Sequence, residues 1–249
     1  ERLLLPLKKR HYAKFLTNLT EEDEPDLRAV RYLADPAKDA LDVGANIGVY
    51  TKFLASVLSH GSSVYSFEPV PTTYAILSSN CKKLGLANVR AMNQALSDSI
   101  GIARMSVPTY EDGGENYYMA HLTADSGGAG KSFDVETTTL DEFFRKTRTN
   151  AGFLKIDAEG AELSCIEGGS AFLRANRPAS FVEISDNPDD EGSKSRRLFT
   201  IFEKLGYGAY VYDGRKSMRP RAAGDSAINY YFLRPEHCDR FANSPISVE

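Results

Sequence analysis

Residues 42–48, with the sequence DVGANIG, combine an acidic side chain with two glycines where a predicted strand passes into a predicted helix. In doubly wound α/β folds such a turn lies at the carboxyl edge of the sheet, where ligands bind. Gly44 and Gly48 are four residues apart, so the segment does not match the G-x-G-x-x-G motif that binds a pyrophosphate. It does not match the P-loop motif either. Asp42 would repel a phosphate but suits an ammonium or sulfonium group, and S-adenosylmethionine carries both. We expect the glycines to let the backbone approach this ligand.

A second acidic residue, Glu68, ends the next predicted strand and is followed by a proline. An acidic side chain at this position accepts hydrogen bonds from both ribose hydroxyls of a nucleoside, because a carboxylate has two acceptor oxygens. Since the pyrophosphate glycines are missing, this combination favours the methyl donor over a dinucleotide. We therefore predict a donor site at the ends of the first three strands, formed by Asp42, Gly44, Asn46, Gly48, Glu68, Pro69, Gln94 and Ala95.

Two further carboxylates, Asp157 and Glu159, lie at the end of a later apolar strand, 153–157. Methyl transfer from a sulfonium is an in-line displacement whose neutral thioether leaves without acid help, so the demand falls on the nucleophile. An alcohol must lose its proton, and a positioned base accepts it. Asp157 and Glu159 are the candidate bases, with His121 as a third because histidine titrates near neutrality. The alternative for the two carboxylates is a structural role, in which Asp157 binds the donor's amino group or caps the following helix.

Other charged residues near these segments have structural or binding interpretations. Lys155 lies within an apolar strand, where a lysine is rarely buried unless paired, so we expect it to pair with Glu183 or Asp157. Asp157, Glu159 and Glu183 offer oxygen ligands of the kind that hard cations take, but their spacing does not demand a metal and we predict none. Four cations within residues 215–221 form either a solvated face or a clamp for a phosphorylated acceptor.

The elements that must position these residues alternate between short apolar runs and segments with a 3.6-residue period, which is typical of βαβ units. The predicted strands of the sheet are 39–43, 63–68, 89–95, 153–157, 180–184, 207–212 and 228–233. They predict an α/β fold with a doubly wound, mostly parallel seven-stranded sheet and helices on both faces. The last two strands have no helix between them, so we expect them to pair antiparallel. Helices are predicted from about 50 to 58, 74 to 84, 161 to 173 and 195 to 205.

Two parts of the chain depart from this rhythm. Residues 100–107 and 132–138 predict strands on either side of a glycine-rich stretch, 108–131, which we expect to be a mobile lid over the acceptor. The first 35 residues predict two short helices that cap the core. We therefore divide the chain into an N-terminal helical cap, 1–36, and an α/β domain, 37–249.

Three segments resemble the FkbM-type methyltransferases, a branch of the class I S-adenosylmethionine-dependent fold. They are 42–48, 67–80 and 155–162, and the last, KIDAEGAE, is the most specific because class I methyltransferases in general lack it. With Thr139-Leu140-Asp141 and Glu183, the similarity covers about residues 38–185. The resemblance implies a Rossmann-like class I methyltransferase domain over 37–249, with S-adenosylmethionine as methyl donor. Family members mostly methylate hydroxyl groups of sugars and natural products, which implies an O-methyltransferase with such a small-molecule acceptor.

The composition argues against nucleic acid and membranes as partners of the protein. The net charge of −4 argues against broad nucleic-acid binding, and no apolar run approaches the roughly 18 residues that span a bilayer. Three cysteines without metal-ligand spacing fit a reducing, cytoplasmic setting. The sequence begins with glutamate, so it leaves open whether a targeting segment precedes it, and it leaves the oligomeric state open. Two alternatives remain, an NAD-dependent oxidoreductase using Glu68 on the ribose and a non-catalytic nucleoside-binding module.

Overall fold

The structure, a computed structural model, describes residues 4–107, 121–122 and 131–249, and its centre is one large β-sheet. Within these residues the sheet has nine strands: β1 (Asp39–Val43), β2 (Val64–Phe67), β3 (Val89–Met92), β8 (Ala151–Ile156), β9 (Ala179–Glu183), β10 (Gly208–Tyr212), β11 (Ser217–Pro220), β12 (Asn229–Leu233) and β13 (Ser247–Val248). Their order is β3-β2-β1-β8-β9-β12-β10-β11-β13. The first five are parallel, whereas β12 is antiparallel to both of its neighbours. The order reverses between β1 and β8, which marks this edge of the sheet as the expected ligand site.

The predicted fold class is confirmed, including the antiparallel pairing of β10 with β12. The sheet is larger than the seven strands that the sequence predicts, because β11 and β13 extend its far edge. In β11 only Met218 is buried, and β13 has two residues. Such short edge strands lack the alternation by which strands are recognised in a sequence.

Helices cover both faces of the sheet: α1 (Leu5–Asn18), α2 (Asp26–Leu33), α3 (Val49–Val57), α4 (Pro71–Lys83), α5 (Leu140–Thr147), α6 (Glu162–Glu167), α7 (Ser170–Asn176), α8 (Lys194–Lys204) and α9 (Pro235–Cys238). Adjacent residues of β8 face opposite sides of the sheet. Leu154 packs in the apolar cluster that contains Phe172, and Phe153 packs in the cluster that contains Leu54. A central parallel strand buried on both faces is therefore mostly apolar, and Lys155 is the one charged residue of β8. No helix among the described residues has the length and apolar character of a membrane span.

Two predicted elements are each divided in the structure. The strand predicted over 89–95 ends at Met92, and residues 95 and 96 form β4 (Ala95–Leu96) in another sheet. Between them the Asn93 side-chain amide donates to the carbonyls of Glu68 and Pro69, at 2.8 and 2.9 Å, and holds the chain out of the main sheet. The helix predicted over 161–173 breaks into α6 and α7 at Gly168, where a Cβ would lie 2.2 Å from the Ser97 carbonyl oxygen.

A smaller sheet in the order β4-β7-β5-β6 contains β5 (Gly101–Val107), β6 (His121–Leu122) and β7 (Lys131–Thr138). The strands predicted here are confirmed, because β5 and β7 pair antiparallel along their length. The lid predicted over 108–131 lies almost wholly outside the described residues, so it stays a prediction.

The two predicted N-terminal helices are present as α1 and α2. Leu16 of α1 packs with Ile47 and Ile76 of the α/β core. Asp26 begins α2, and its carboxylate accepts hydrogen bonds from the Asn229 amide, at 2.8 Å, and from the Tyr231 hydroxyl. These contacts fix the N-terminal helices beside the carboxyl edge of the main sheet.

Candidate active site

A pocket lies at the carboxyl ends of β1, β2 and β8, the edge of a parallel sheet where ligands bind. Its polar lining is formed by Gly44, Asn46, Glu68, Gln94, Asp157 and Glu159, and its apolar lining by Val43, Phe67, Pro69, Val70, Ala95, Leu96, Met105, Ala158 and Ala161. Six of the eight predicted donor residues and both predicted carboxylate bases therefore line one pocket.

The glycine turn forms one wall of the pocket and touches the opposite wall. Gly44 has φ +71, and a Cβ there would lie 1.7 Å from the carbonyl oxygen of Asp157. Glycine is therefore required at position 44 by the contact between the two turns, whereas the sequence suggested that it makes room for a ligand. A larger residue at position 44 would disrupt both turns. If such a variant failed to bind the donor, that result would not show that Gly44 itself contacts the donor.

Asp42 and Gly48 are not in the lining of this pocket, and their part in donor binding stays a prediction. The Asp42 side chain is fully buried, accepts a hydrogen bond from the Thr51 hydroxyl at 2.6 Å and has Lys155 Nζ 3.6 Å from its Oδ1. Its charge thus has a cationic neighbour inside the protein. Gly48, with φ +101, begins α3 and faces Leu77.

Glu68 is held at a fixed position in the pocket, with 5% of its surface exposed. Its Oε2 accepts the Asn46 N–H and its Oε1 the Val70 N–H, each at 2.9 Å. Each carboxylate oxygen has a second lone pair, so two acceptor positions remain for a ligand. Burial raises the pKa of Glu68 to about 7, against the lowering effect of the two amides. The geometry is that expected of a ribose-binding carboxylate, and the role itself stays a prediction.

Lys155 links the turn after β1 to the turn after β8. Its ammonium donates to Asp157 Oδ2 and to the Gly44 carbonyl, both at 3.1 Å, and lies 5.1 Å from the centre of the Tyr50 ring. The expected pairing with Asp157 is confirmed, and Asp42 is a second carboxylate neighbour that the sequence did not indicate. Burial alone would lower the pKa of Lys155, but Asp157 and Asp42 outweigh it and raise the pKa.

Glu159 lies at the tip of the turn after β8, and its backbone is in the left-handed region with φ 48. Partial burial and the nearby Asp157, Glu183 and Glu162 carboxylates raise the pKa of Glu159 to about 7. Within the described residues its carboxylate has no hydrogen-bond or ion-pair partner. Glu162 Oε1 holds this turn by accepting the N–H groups of residues 158 and 160 at 3.1 and 2.9 Å.

Two residues beside the pocket have no counterpart in the sequence prediction. The Tyr50 hydroxyl donates to Glu24 Oε1 at 2.9 Å, which links α3 to the segment between α1 and α2. The sequence shows Tyr50 only as one member of the apolar face of a helix, and no local pattern marks Glu24. Their contact depends on how the N-terminal helices pack, which no motif records.

His121 is described only by its backbone, which pairs with Ser106 of β5 next to the pocket residue Met105. Its part in catalysis stays a prediction. Glu183 ends β9, the strand beside β8, and raises the pKa of Glu159. Among the described residues, no group of three or more His, Cys, Asp and Glu side chains is arranged to hold a metal ion.

The basic cluster of residues 215–221 is partly neutralised. Arg219 makes a bidentate pair with Asp225, with both N–O distances 2.8 Å, and Arg221 pairs with Asp189. These pairs favour the structural interpretation of the cluster over a phosphate clamp.

Residues 42–208 match the family model described as the methyltransferase FkbM domain. The chain is 30% identical over 154 residues to methyltransferase sdnD of Sordaria araneosa, covering 51% of this chain and 59% of that protein. It is 38% identical over 124 residues to 31-O-demethyl-FK506 methyltransferase FkbM of Streptomyces tacrolimicus, covering 50% and 41%. The chain thus spans about half the length of these relatives. The crystal structure of methyltransferase FkbM from Methylobacillus flagellatus KT is similar in fold, with a TM-score of 0.52 and 14% identity over 80% of this chain and 44% of that one.

Proposed function

Because this chain belongs to the FkbM methyltransferase family, we propose that it transfers a methyl group from S-adenosylmethionine to a hydroxyl group of a small molecule, a saccharide or natural-product glycoside. One observation carries this proposal. One pocket at the switch point of the sheet contains both a buried carboxylate suited to ribose, Glu68, and a carboxylate suited to proton removal, Glu159, which has no partner in the part of the chain that the structure describes.

The pocket offers the donor a fitting set of groups. Glu68 would accept the ribose hydroxyls, and the apolar side chains of Phe67, Val70 and Met105 would contact the adenine base. Asp157 brings a negative charge to the pocket lining, where it would attract the donor's ammonium or sulfonium. When bound, S-adenosylmethionine supplies an electrophilic methyl group, so the protein has only to orient the acceptor and remove its proton.

Glu159 is the better placed of the two candidate bases. Asp157 is engaged by the Lys155 ammonium, whereas Glu159 has a raised pKa and no partner among the described residues. A general base works best when its pKa lies near the working pH, so that it is ionised yet still able to hold a proton. Glu159 would therefore accept the proton of the acceptor hydroxyl.

Charge and family resemblance both favour a neutral hydroxyl acceptor. Asp157 and Glu159 line the pocket and Glu183 lies near Glu159, so an acceptor bearing phosphate or carboxylate would be repelled. The name of the Streptomyces tacrolimicus relative, 31-O-demethyl-FK506 methyltransferase, describes methylation at an oxygen.

Calorimetric titration and a methyl-transfer assay together distinguish this function from the two alternatives. We expect S-adenosylmethionine and S-adenosylhomocysteine to bind and NAD not to bind. An NAD-dependent oxidoreductase would bind NAD instead. A non-catalytic nucleoside-binding module would bind the donor yet transfer no methyl group to any member of a panel of glycosides and hydroxylated macrolides.

A further inference from the structure

Lys155 is a buried ionisable group that proton removal does not use. Its side chain is 5% exposed, and carboxylates, a carbonyl and an aromatic ring surround its ammonium. Burying an ammonium is costly unless it is paired and hydrogen-bonded, and apolar side chains often fill such positions at least as well. The contribution of this lysine therefore comes from the groups that it connects.

The groups joined by Lys155 belong to the two turns that face each other across the donor pocket. The Gly44 carbonyl is part of the turn after β1, and the Asp157 carboxylate is part of the turn after β8. The turns are also linked directly, since the Asp157 N–H donates to the Val43 carbonyl at 3.1 Å. One ammonium thus holds the side chain of one wall against the backbone of the other.

The charged groups of Lys155, Asp42 and Asp157 differ in their exposure to the pocket. Asp42 is fully buried, whereas the Asp157 side chain is 31% exposed and lines the pocket. Lys155 carries one positive charge between these two carboxylates, so one negative charge remains in the group of three, and Asp157 is the member that reaches the pocket surface. That is where a ligand cation can meet it.

We propose that Lys155 is a positioning residue for the methyl donor, which fixes the Asp157 carboxylate against the glycine turn before the donor binds. The inference rests on the donor pocket proposed above. A carboxylate already held in its binding geometry loses little freedom when the ligand arrives, and affinity increases accordingly. Lys155 acts through Asp157 and does not itself contact the donor.

The test is the dissociation constant of S-adenosylhomocysteine, measured by calorimetry on charge-balanced variants. Lys155→Met alone would leave Asp42 buried without a cation, so it is combined with Asp42→Asn, which keeps an oxygen for the Thr51 hydroxyl. Asp42→Asn alone is the reference. Lys52→Met is the matched control, because Lys52 is also a partly buried lysine bound to backbone carbonyls, those of Leu16 and Leu19, away from the pocket.

We expect Asp42→Asn/Lys155→Met to weaken binding about tenfold or more relative to Asp42→Asn, with a cooperative thermal unfolding transition retained. Lys52→Met lowers the melting temperature without changing the dissociation constant. Unchanged binding by the folded double variant overturns the inference.

Asp157→Asn gives an independent test that does not depend on the double variant folding, since its side chain is partly exposed. It should weaken binding by a similar factor, and wild-type affinity in this variant would also overturn the inference. Failure of the wild-type chain to bind S-adenosylhomocysteine at all would instead overturn the proposed function.

Discussion

Replacing Glu68 by alanine should weaken donor binding by a predictable amount. The side chain is nearly fully buried, and its two oxygens are fixed by the Asn46 and Val70 amides, so little freedom remains to be lost when a ligand binds. Hydrogen bonds to charged groups contribute about 1.5–3 kcal/mol, so losing those to the ribose should raise the dissociation constant of S-adenosylhomocysteine roughly 10- to 150-fold. Isothermal titration calorimetry measures this directly.

The same substitution also removes two protein hydrogen bonds, so a matched control is needed. The Asp141 carboxylate likewise accepts two backbone amides, those of Ala171 and Phe172 at 3.1 and 2.8 Å, but it lies outside the pocket lining. Asp141→Ala should lower the melting temperature as Glu68→Ala does, while its dissociation constant stays at the wild-type value. A folded Glu68→Ala variant that binds the donor product as tightly as the wild type would refute the assignment of Glu68.

Four further outcomes are expected. Glu159→Gln should lower single-turnover methyl transfer about 10²- to 10⁴-fold with donor affinity unchanged, and a variant of undiminished rate would exclude Glu159 as the base. Because the pKa of Glu68 is raised from 4.5 to about 7, the folded state binds this proton more tightly than the unfolded one. The contribution of Glu68 to unfolding free energy should therefore fall as pH rises through that interval, and the slope should be smaller in Glu68→Ala. Donor affinity, which uses the ionised form, should rise between pH 6 and 8, roughly the interval around that pKa; calorimetry that shows no such rise would contradict it. Methyl transfer should survive EDTA, and activity lost with EDTA and restored by magnesium would contradict the prediction that no metal is needed.

The parts of the site that the sequence predicted are those set by neighbours in the chain. Asn46 and Glu68 follow directly from strand ends, and the parallel order of the sheet brings those ends together. The 3.6-residue periods of α3 and α4 and the antiparallel last strand were predictable for the same reason, since each depends on a local pattern.

What the sequence did not predict are contacts between distant segments. The sequence places Asp42 at a strand end, but it does not show that Thr51 and Lys155 contact its carboxylate. The break before α7 depends on the Ser97 carbonyl, and the Tyr50 to Glu24 hydrogen bond depends on the packing of the N-terminal helices. Tertiary packing decides such details, and a single sequence records it only weakly.

The central claim is transfer of a methyl group to oxygen, and one labelling experiment tests it most directly. The protein is incubated with S-adenosylmethionine carrying a deuterated methyl group and a panel of glycosides and hydroxylated macrolides, and products are examined by mass spectrometry and NMR. We predict a deuterated methyl ether on a hydroxyl oxygen, formed by the wild type and strongly reduced in Glu159→Gln. A label found on nitrogen or carbon, or no labelled product from a chain that binds the donor, would contradict the account.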